Sequence, residues 1–398
     1  MLKKTLYITA LTASIILLFF ATLFTWRPDL VRVLRYRVPN AETYKVFPQS
    51  VIHSADTAFQ FKKAAILRDD LDTISVKDWE NKTIPFKTYL NEGRINLFMV
   101  IRNDTIIYEK TTPGYSDTTL TSLFSISKSM LSIVIGKALE QGKLKSLDDH
   151  VTKYIPELKA NPVFNDITLR HLFTMTSGLE FKDTNGGIVA AFLSDEAKYY
   201  YTDDIKKLLL NQKSETPPGK VWKYKSIDAF LLTWALENAT GQKVTPYFEN
   251  EVWKKIGTAY NASFGLDHNN GLANTASRFQ CTAIDLAKIG RLYLNGGKYN
   301  NNQVISADWV KNTTTLTGKS LAIPKGWQKT TQNYLWWLPQ QGIKGEFAAE
   351  GMLGQRLFVD PKNNTIIIQL AAKGAGDYPY RKVSSYLSGK PFTYPKNK

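Results

Sequence analysis

The 398-residue sequence predicts an α+β protein: one antiparallel sheet built from both ends of the chain, flanked by helices and interrupted by a mainly helical insertion. Three observations predict it. The runs INLFMVI (95–101) and TIIYE (105–109), separated by Asn103-Asp104, read as a β-hairpin. Strand patterns return only near the other end, at 345–350, 356–359 and 365–370, with Asp360-Pro361-Lys362-Asn363-Asn364 as a strong turn. Between these ends, 203–210, 227–239 and 283–294 carry helical patterns with few strand signals. The reading divides the chain into 1–26, 27–69 and one large domain, 70–398. The sheet-bearing parts of that domain fall at about 70–140 and 300–398 and the helical part at about 141–299.

The first element is MLKK followed by Thr5 to Trp26, a stretch without a charge that is long enough to span a bilayer as a helix. A cleaved signal peptide is the alternative, although no small-x-small cleavage site is evident. Lys3 and Lys4 precede the apolar run and Arg27, Arg32, Arg35 and Arg37 follow it, so charge alone leaves the orientation undecided. A short tail ahead of a first apolar segment usually stays inside, which places the main body outside the cytoplasm, in a bacterial periplasm. Residues 27–69 carry Pro28, Pro39 and Pro48 without strong periodicity and read as a spacer; 83–90 reads as a short edge segment.

The strand signal at 118–124 leads into Ser125-Ile126-Ser127-Lys128-Ser129 and then MLSIVIGKAL, apolar on nearly every side and stopped by Gln141-Gly142. A helix apolar all round belongs in the middle of a protein. Its first turn nevertheless carries three serines and a lysine. Ser125 and Lys128, three apart, share one face. A buried lysine is pushed toward the neutral amine, which can take a proton from a serine, so the pair is a plausible activated nucleophile. The plainer reading is a serine N-cap, and Ser-x-x-Lys arises by chance about once or twice in a chain of this length. Here it occurs once, at the head of the most apolar helix beyond the N-terminal segment.

Composition excludes several classes. The single cysteine, Cys281, permits no intrachain disulfide, and four scattered histidines show no metal-ligand spacing, so no metal or cofactor is expected. The net charge of +16 is concentrated at the ends, with six basic and one acidic residue in both 1–37 and 373–398. No basic stripe interleaved with aromatics suggests nucleic acid; basic ends near a membrane suit adhesion to anionic surfaces. Thr317-Gly318-Lys319-Ser320 imitates a phosphate loop, but Thr313 stands where the earlier glycine is required.

Phe124-Ser125-Ile126-Ser127-Lys128-Ser129 resembles the active-site helix of serine β-lactamase-related hydrolases, which include class C β-lactamases, penicillin-binding carboxypeptidases, esterases and 6-aminohexanoate-dimer hydrolases. The resemblance continues in order through Leu147-Asp148-Asp149, Tyr154-Ile155-Pro156-Glu157, Thr168 to Leu172 and Met175-Thr176-Ser177-Gly178-Leu179. It then runs through Pro218 to Ser226 and Cys281 to Ala287, and ends at Glu350 to Gln355, so that it covers roughly 70 to 390. It implies the β-lactamase/transpeptidase fold and a covalent acyl-enzyme formed on an amide or ester. In that scheme Ser125 is the nucleophile, Lys128 its base, and Tyr224 the phenol that relays a proton to the leaving group.

Two departures bear on the substrate. Ser226 occupies the third position of Tyr-x-Asn, and the Lys-Thr-Gly motif of lactamases is replaced by Ala349-Glu350-Gly351. The resemblance places the oxyanion hole at the backbone N–H groups of Ser125 and Met352, with Ser226, Glu350 and Gly351 bordering the substrate. An acidic Glu350 facing the cleft would disfavour penicillins and favour neutral or ammonium-bearing substrates; the alternation of a strand equally allows it to face away. Two other expectations stay open: a D-alanyl carboxypeptidase or D-aminopeptidase acting on cell-wall peptides, and a penicillin-binding-like sensor that acylates without turning over.

Overall fold

The computed structural model describes residues 2–26, 28–78, 80–92, 95–182, 194–315, 330–339, 345–372 and 379–389. Its centre is an eight-stranded sheet in which strands from the two ends of the chain meet. From one edge, its order is Thr330–Asn333, Trp336–Pro339, Phe347–Gly351, Gln355–Asp360, Thr365–Ala371, Ile95–Arg102, Thr105–Thr111 and Lys62–Lys63. All neighbours are antiparallel except the last pair. The junction is the pairing of Thr365–Ala371 with Ile95–Arg102, from Thr365 opposite Arg102 to Leu370 opposite Leu97. Both strands are buried almost throughout, because the sheet is covered on both faces.

Successive residues of a strand point to opposite faces. Leu357 and Ile366 meet the helix Ala283–Leu294 at Gly290, where a Cβ would come within 3.0 Å of both side chains. The neighbouring Phe358 packs on the other face against Tyr380 of the C-terminal helix Pro379–Ser388, with ring centroids 5.1 Å apart. The expected core helix is Ile126–Glu140, which contacts Phe347–Gly351 and Gln355–Asp360. Twelve of its fifteen residues are buried, so the all-round apolar pattern is explained by enclosure on every side.

The insertion is mainly helical, with Ser226–Thr240 and Ala283–Leu294 close to their expected limits. It also contributes strands that its sequence pattern hides. Ala262–Gly265 and Phe279–Cys281 join Gln49–Ile52 and Thr121–Ser122 in a second, four-stranded sheet. The segment at 83–90 is a three-residue strand, Thr83–Pro85, followed by the helix Phe86–Asn91, rather than a continuous edge strand.

Within the stretch 27–69, expected as a spacer, residues 28–69 are folded onto the domain. Pro28–Tyr36 is a helix that packs on the helix Asp195–Tyr201. Arg32 Nη1 donates to the Tyr201 carbonyl at 3.0 Å, and the Tyr201 hydroxyl donates to the Arg37 carbonyl at 2.7 Å. Val33 and Phe47 are buried with Phe124, Tyr200 and Tyr201. The apolar face of a nine-residue helix is too short a pattern to stand out among three prolines and four arginines. Ahead of it, Leu2–Trp26 is one continuous helix, about 37 Å long at 1.5 Å per residue. Among the described residues no helix is long and apolar enough to cross a membrane; several side chains of Leu2–Trp26 lie outside the description. Tyr7, Leu11, Ile15, Ile16, Leu17 and Leu18 are exposed on it. The phosphate-loop imitation at 317–320 lies outside the described residues.

Candidate active site

The turn ahead of Ser125 holds a strained backbone in place. Phe124 has φ +48°, a left-handed conformation costly for a bulky residue, and its carbonyl accepts from Ser127 Oγ at 2.5 Å. Ser127 Oγ in turn accepts from the Phe279 N–H at 2.9 Å, which ties the turn to the small sheet. Ser129 Oγ donates to the Leu335 carbonyl at 2.8 Å. Ser127 and Ser129, polar side chains in the first turn of this buried helix, therefore each hold a neighbouring backbone. Ser125 stands at the N-cap position, yet its side chain makes no capping bond. Its hydroxyl is turned toward Lys128 instead.

Lys128 is almost fully buried and has three polar neighbours: Ser125 Oγ at 3.2 Å, Ser226 Oγ at 3.1 Å and the Ala276 carbonyl at 2.8 Å. Its Nζ also lies 4.9 Å from the centroid of the Tyr224 ring. That ring stacks on Trp337, with centroids 5.6 Å apart and planes 28° apart. The structure thus brings Ser125, Lys128, Tyr224 and Ser226 together from two distant stretches of sequence. Lys223 and Lys225, the neighbours of Tyr224, are directed elsewhere: Lys223 pairs with Glu215 at 2.6 Å, and the buried Lys225 donates to the Leu179 carbonyl at 3.1 Å.

Gly351 and Met352 come to the same place. A Cβ on Gly351 would stand 2.1 Å from the Leu123 carbonyl oxygen, so the end of strand Phe347–Gly351 crosses directly over the turn before Ser125. The backbone then enters a tight turn in which Leu353 has φ +65°. Leu353 packs beside Phe124, Tyr200 and Tyr201. This crossing sets the backbone of Met352 beside the N-terminal end of the core helix, where the helix dipole favours negative charge.

Glu350 is not brought to this group. Its carboxylate accepts from the Tyr380 hydroxyl at 3.0 Å and lies 3.6 Å from Arg356 Nη2, its cross-strand neighbour. Tyr380 packs against Phe358, on the face of the sheet opposite the core helix. Alternation decides the matter: Gly351 faces the nucleophile turn, so the residue before it faces away.

Three participants escaped the sequence reading. Ala276 acts through a backbone carbonyl, which leaves no signature in residue type. Trp337 lies on a strand whose pattern was not distinctive. Glu196, on the helix Asp195–Tyr201, accepts from Ser226 Oγ at 2.8 Å, and nothing in the Tyr-x-Ser spacing points to it. Beneath the site, Ser177 Oγ donates to Asp228 Oδ1 at 2.6 Å. Burial pushes the Asp228 carboxyl up to about 6, against the opposing pull of Lys225 and Ser177. Among the described residues, no three His, Cys, Asp or Glu side chains are grouped to hold a metal ion.

The chain is similar to several known proteins. The 6-aminohexanoate-dimer hydrolase of Paenarthrobacter ureafaciens is 26% identical over 299 residues, 71% of this chain and 74% of that protein. The D-alanyl-D-alanine-carboxypeptidase/endopeptidase AmpH of Escherichia coli K12 is 32% identical over 147 residues, 35% of this chain and 36% of that protein. A solved structure from Bacillus anthracis, provisionally assigned as a 6-aminohexanoate-dimer hydrolase, superposes with a TM-score of 0.78 at 23% identity, covering 90% of this chain and 95% of that one. Residues 94–383 match the family described as Beta-lactamase, and the chain belongs to it as a serine β-lactamase-related hydrolase.

Proposed function

We propose that the protein cleaves an amide or ester through an acyl-enzyme on Ser125. The observation that carries the reading is Lys128 Nζ at 3.2 Å from Ser125 Oγ, buried and hydrogen-bonded to a fixed carbonyl. The Ser125 proton passes to the Lys128 amine as Oγ bonds to the substrate carbonyl carbon. The resulting oxyanion is received by the N–H groups of Ser125 and Met352. Collapse breaks the bond to the leaving amine or alkoxide, which takes a proton by way of Tyr224. Water then attacks the acyl-enzyme by the reverse proton route and releases the acid.

The substrate reading starts from the relative named as a 6-aminohexanoate-dimer hydrolase, so linear amides come first. The absence of Lys-Thr-Gly weighs against penicillins. The carboxypeptidase alternative draws on the AmpH similarity, and a panel of simple esters, linear amides, D-amino acid peptides and a cephalosporin separates them. A fluorophosphonate should add one adduct by intact mass to the wild type and none to Ser125→Ala. An adduct on Ser125→Ala overturns the assignment; labelling with no turnover of any panel member favours the sensor reading. We also propose that Leu2–Trp26 anchors the protein with its catalytic domain outside the cytoplasm. The exposed apolar side chains of that helix support this. Release of the full chain from membranes by alkaline carbonate would sink it.

A further inference from the structure

We infer that Glu196 is a positioning residue that forces Ser226 to act only as a hydrogen-bond acceptor toward Lys128, thereby aiming the lysine lone pair at Ser125; this rests on the acyl-transfer reading above. The inference follows from counting protons. In the base form that the acyl-transfer reading requires, the Lys128 amine has two N–H donors and one lone pair, facing oxygens of Ser125, Ser226 and Ala276. The Ala276 carbonyl can only accept, which uses one N–H.

Ser226 has one proton, and in principle that proton could point at the lysine nitrogen. It would then compete with Ser125 for the lone pair. Glu196 prevents this: its carboxylate can only accept, and at 2.8 Å from Ser226 Oγ it takes the Ser226 proton. The Ser226 oxygen is left to accept the second N–H of Lys128. The lone pair is then left to face the hydroxyl of Ser125, whose proton it takes. In a Tyr-x-Asn motif the amide oxygen is an acceptor by its own chemistry. Here the Ser226–Glu196 pair does the same work with two side chains, because a hydroxyl alone has no fixed direction.

The helix that carries Glu196 is held for this purpose. Ser194 caps it, with its side chain accepting from the Ala197 N–H at 3.2 Å. On its far side it packs on the helix Pro28–Tyr36, through Arg32 to the Tyr201 carbonyl. These contacts hold the partly buried Glu196 carboxylate at 2.8 Å from Ser226 Oγ.

The test measures the rate of fluorophosphonate labelling of Ser125 in the full chain, with thermal melting to confirm folding. Glu196→Ala should label about 10–100-fold more slowly, since misdirecting a catalytic group by a fraction of its hydrogen-bond geometry costs on that order. Adding Ser226→Asn to Glu196→Ala should recover most of that loss, because an amide oxygen accepts without help. Glu196→Gln, which keeps an acceptor oxygen, should fall only about three- to fivefold. A purely structural role for Glu196 predicts no rescue by a change at position 226. Labelling of Glu196→Ala at the wild-type rate, or no recovery in both the double variant and Glu196→Gln, overturns the inference. Failure of the wild type itself to label would instead overturn the acyl-transfer reading.

Discussion

The α-carbon of Gly351 sits so close to the carbonyl of Leu123 that a methyl group on it would stand 2.1 Å from that oxygen. The contact is backbone against backbone, so neither side can turn away. It fixes the distance between the strand end that precedes Met352 and the turn that precedes Ser125.

Gly351→Ala should therefore separate the N–H groups of Ser125 and Met352, the proposed oxyanion donors, while leaving Lys128 and its partners in place. Loss of one such donor typically costs about 10²–10³ in kcat. Steady-state turnover of a chromogenic ester should fall by that order, with labelling of Ser125 slowed but not abolished. Unchanged kcat in a folded variant would show that Met352 does not take part.

Removing residues 1–26 should leave full activity on small esters. Removing residues 1–37 should not, since it takes away Val33, the Arg32 bond to Tyr201 and the Arg37 carbonyl that receives the Tyr201 hydroxyl. The longer deletion should lower Tm by about 5–10 °C, as for the loss of a few buried contacts. Acylation should slow as well, because the helix bearing Glu196 loses its brace. Comparing the melting curves and labelling rates of the two truncations checks both statements.

Glu350 should have no say in substrate charge. Its carboxylate is engaged by Tyr380 and Arg356 on the far face of the sheet. Glu350→Lys should change turnover of an amine-bearing and a carboxylate-bearing ester by the same factor. A differential response greater than about tenfold, equivalent to 1.4 kcal/mol, would require the side chain to reach the cleft.

Asp228 supplies a pH signature. Its carboxyl is raised from 3.8 to about 6 by burial, so the folded state holds this proton more tightly than the unfolded chain does. Stability from this group is complete below about pH 4 and is lost as pH rises toward 6, then levels off. The change is on the order of 3 kcal/mol. Urea unfolding of the wild type and Asp228→Asn should show the difference between them shifting by that order, against the wild type, from pH 3 to 7. A pH-independent difference would mean that the carboxyl titrates normally.

Much of this was legible in the sequence where period and motif coincide. The Ile126–Glu140 helix, the hairpin at 95–109 and the late strands announce themselves through apolar patterning, and Ser125, Lys128 and Tyr224 through ordered motifs. The small sheet was not legible, because Thr121–Ser122 and Phe279–Cys281 are too short to show a period of two. Glu350 was left open by the sequence and settled by the register that turns Gly351 toward Leu123. Glu196 and Ala276 join the cluster through position alone. One is a single carboxylate on a short helix and the other a peptide carbonyl, and both are defined only once the chain has closed on itself.

That closure has a consequence for how the protein comes to be made. The strand Ile95–Arg102 is paired on one side by its hairpin partner, but on the other by Thr365–Ala371, more than 260 residues later. During synthesis the strand leaves the ribosome long before its second neighbour exists, with Leu97 to Ile101 buried only in the finished sheet. Such an edge, apolar and unprotected, is the feature on which nascent chains pair wrongly with one another. Contacts this distant also form slowly. Yield in a heterologous host should consequently be limited by the interval before residue 371 emerges, more than by the stability of the folded enzyme.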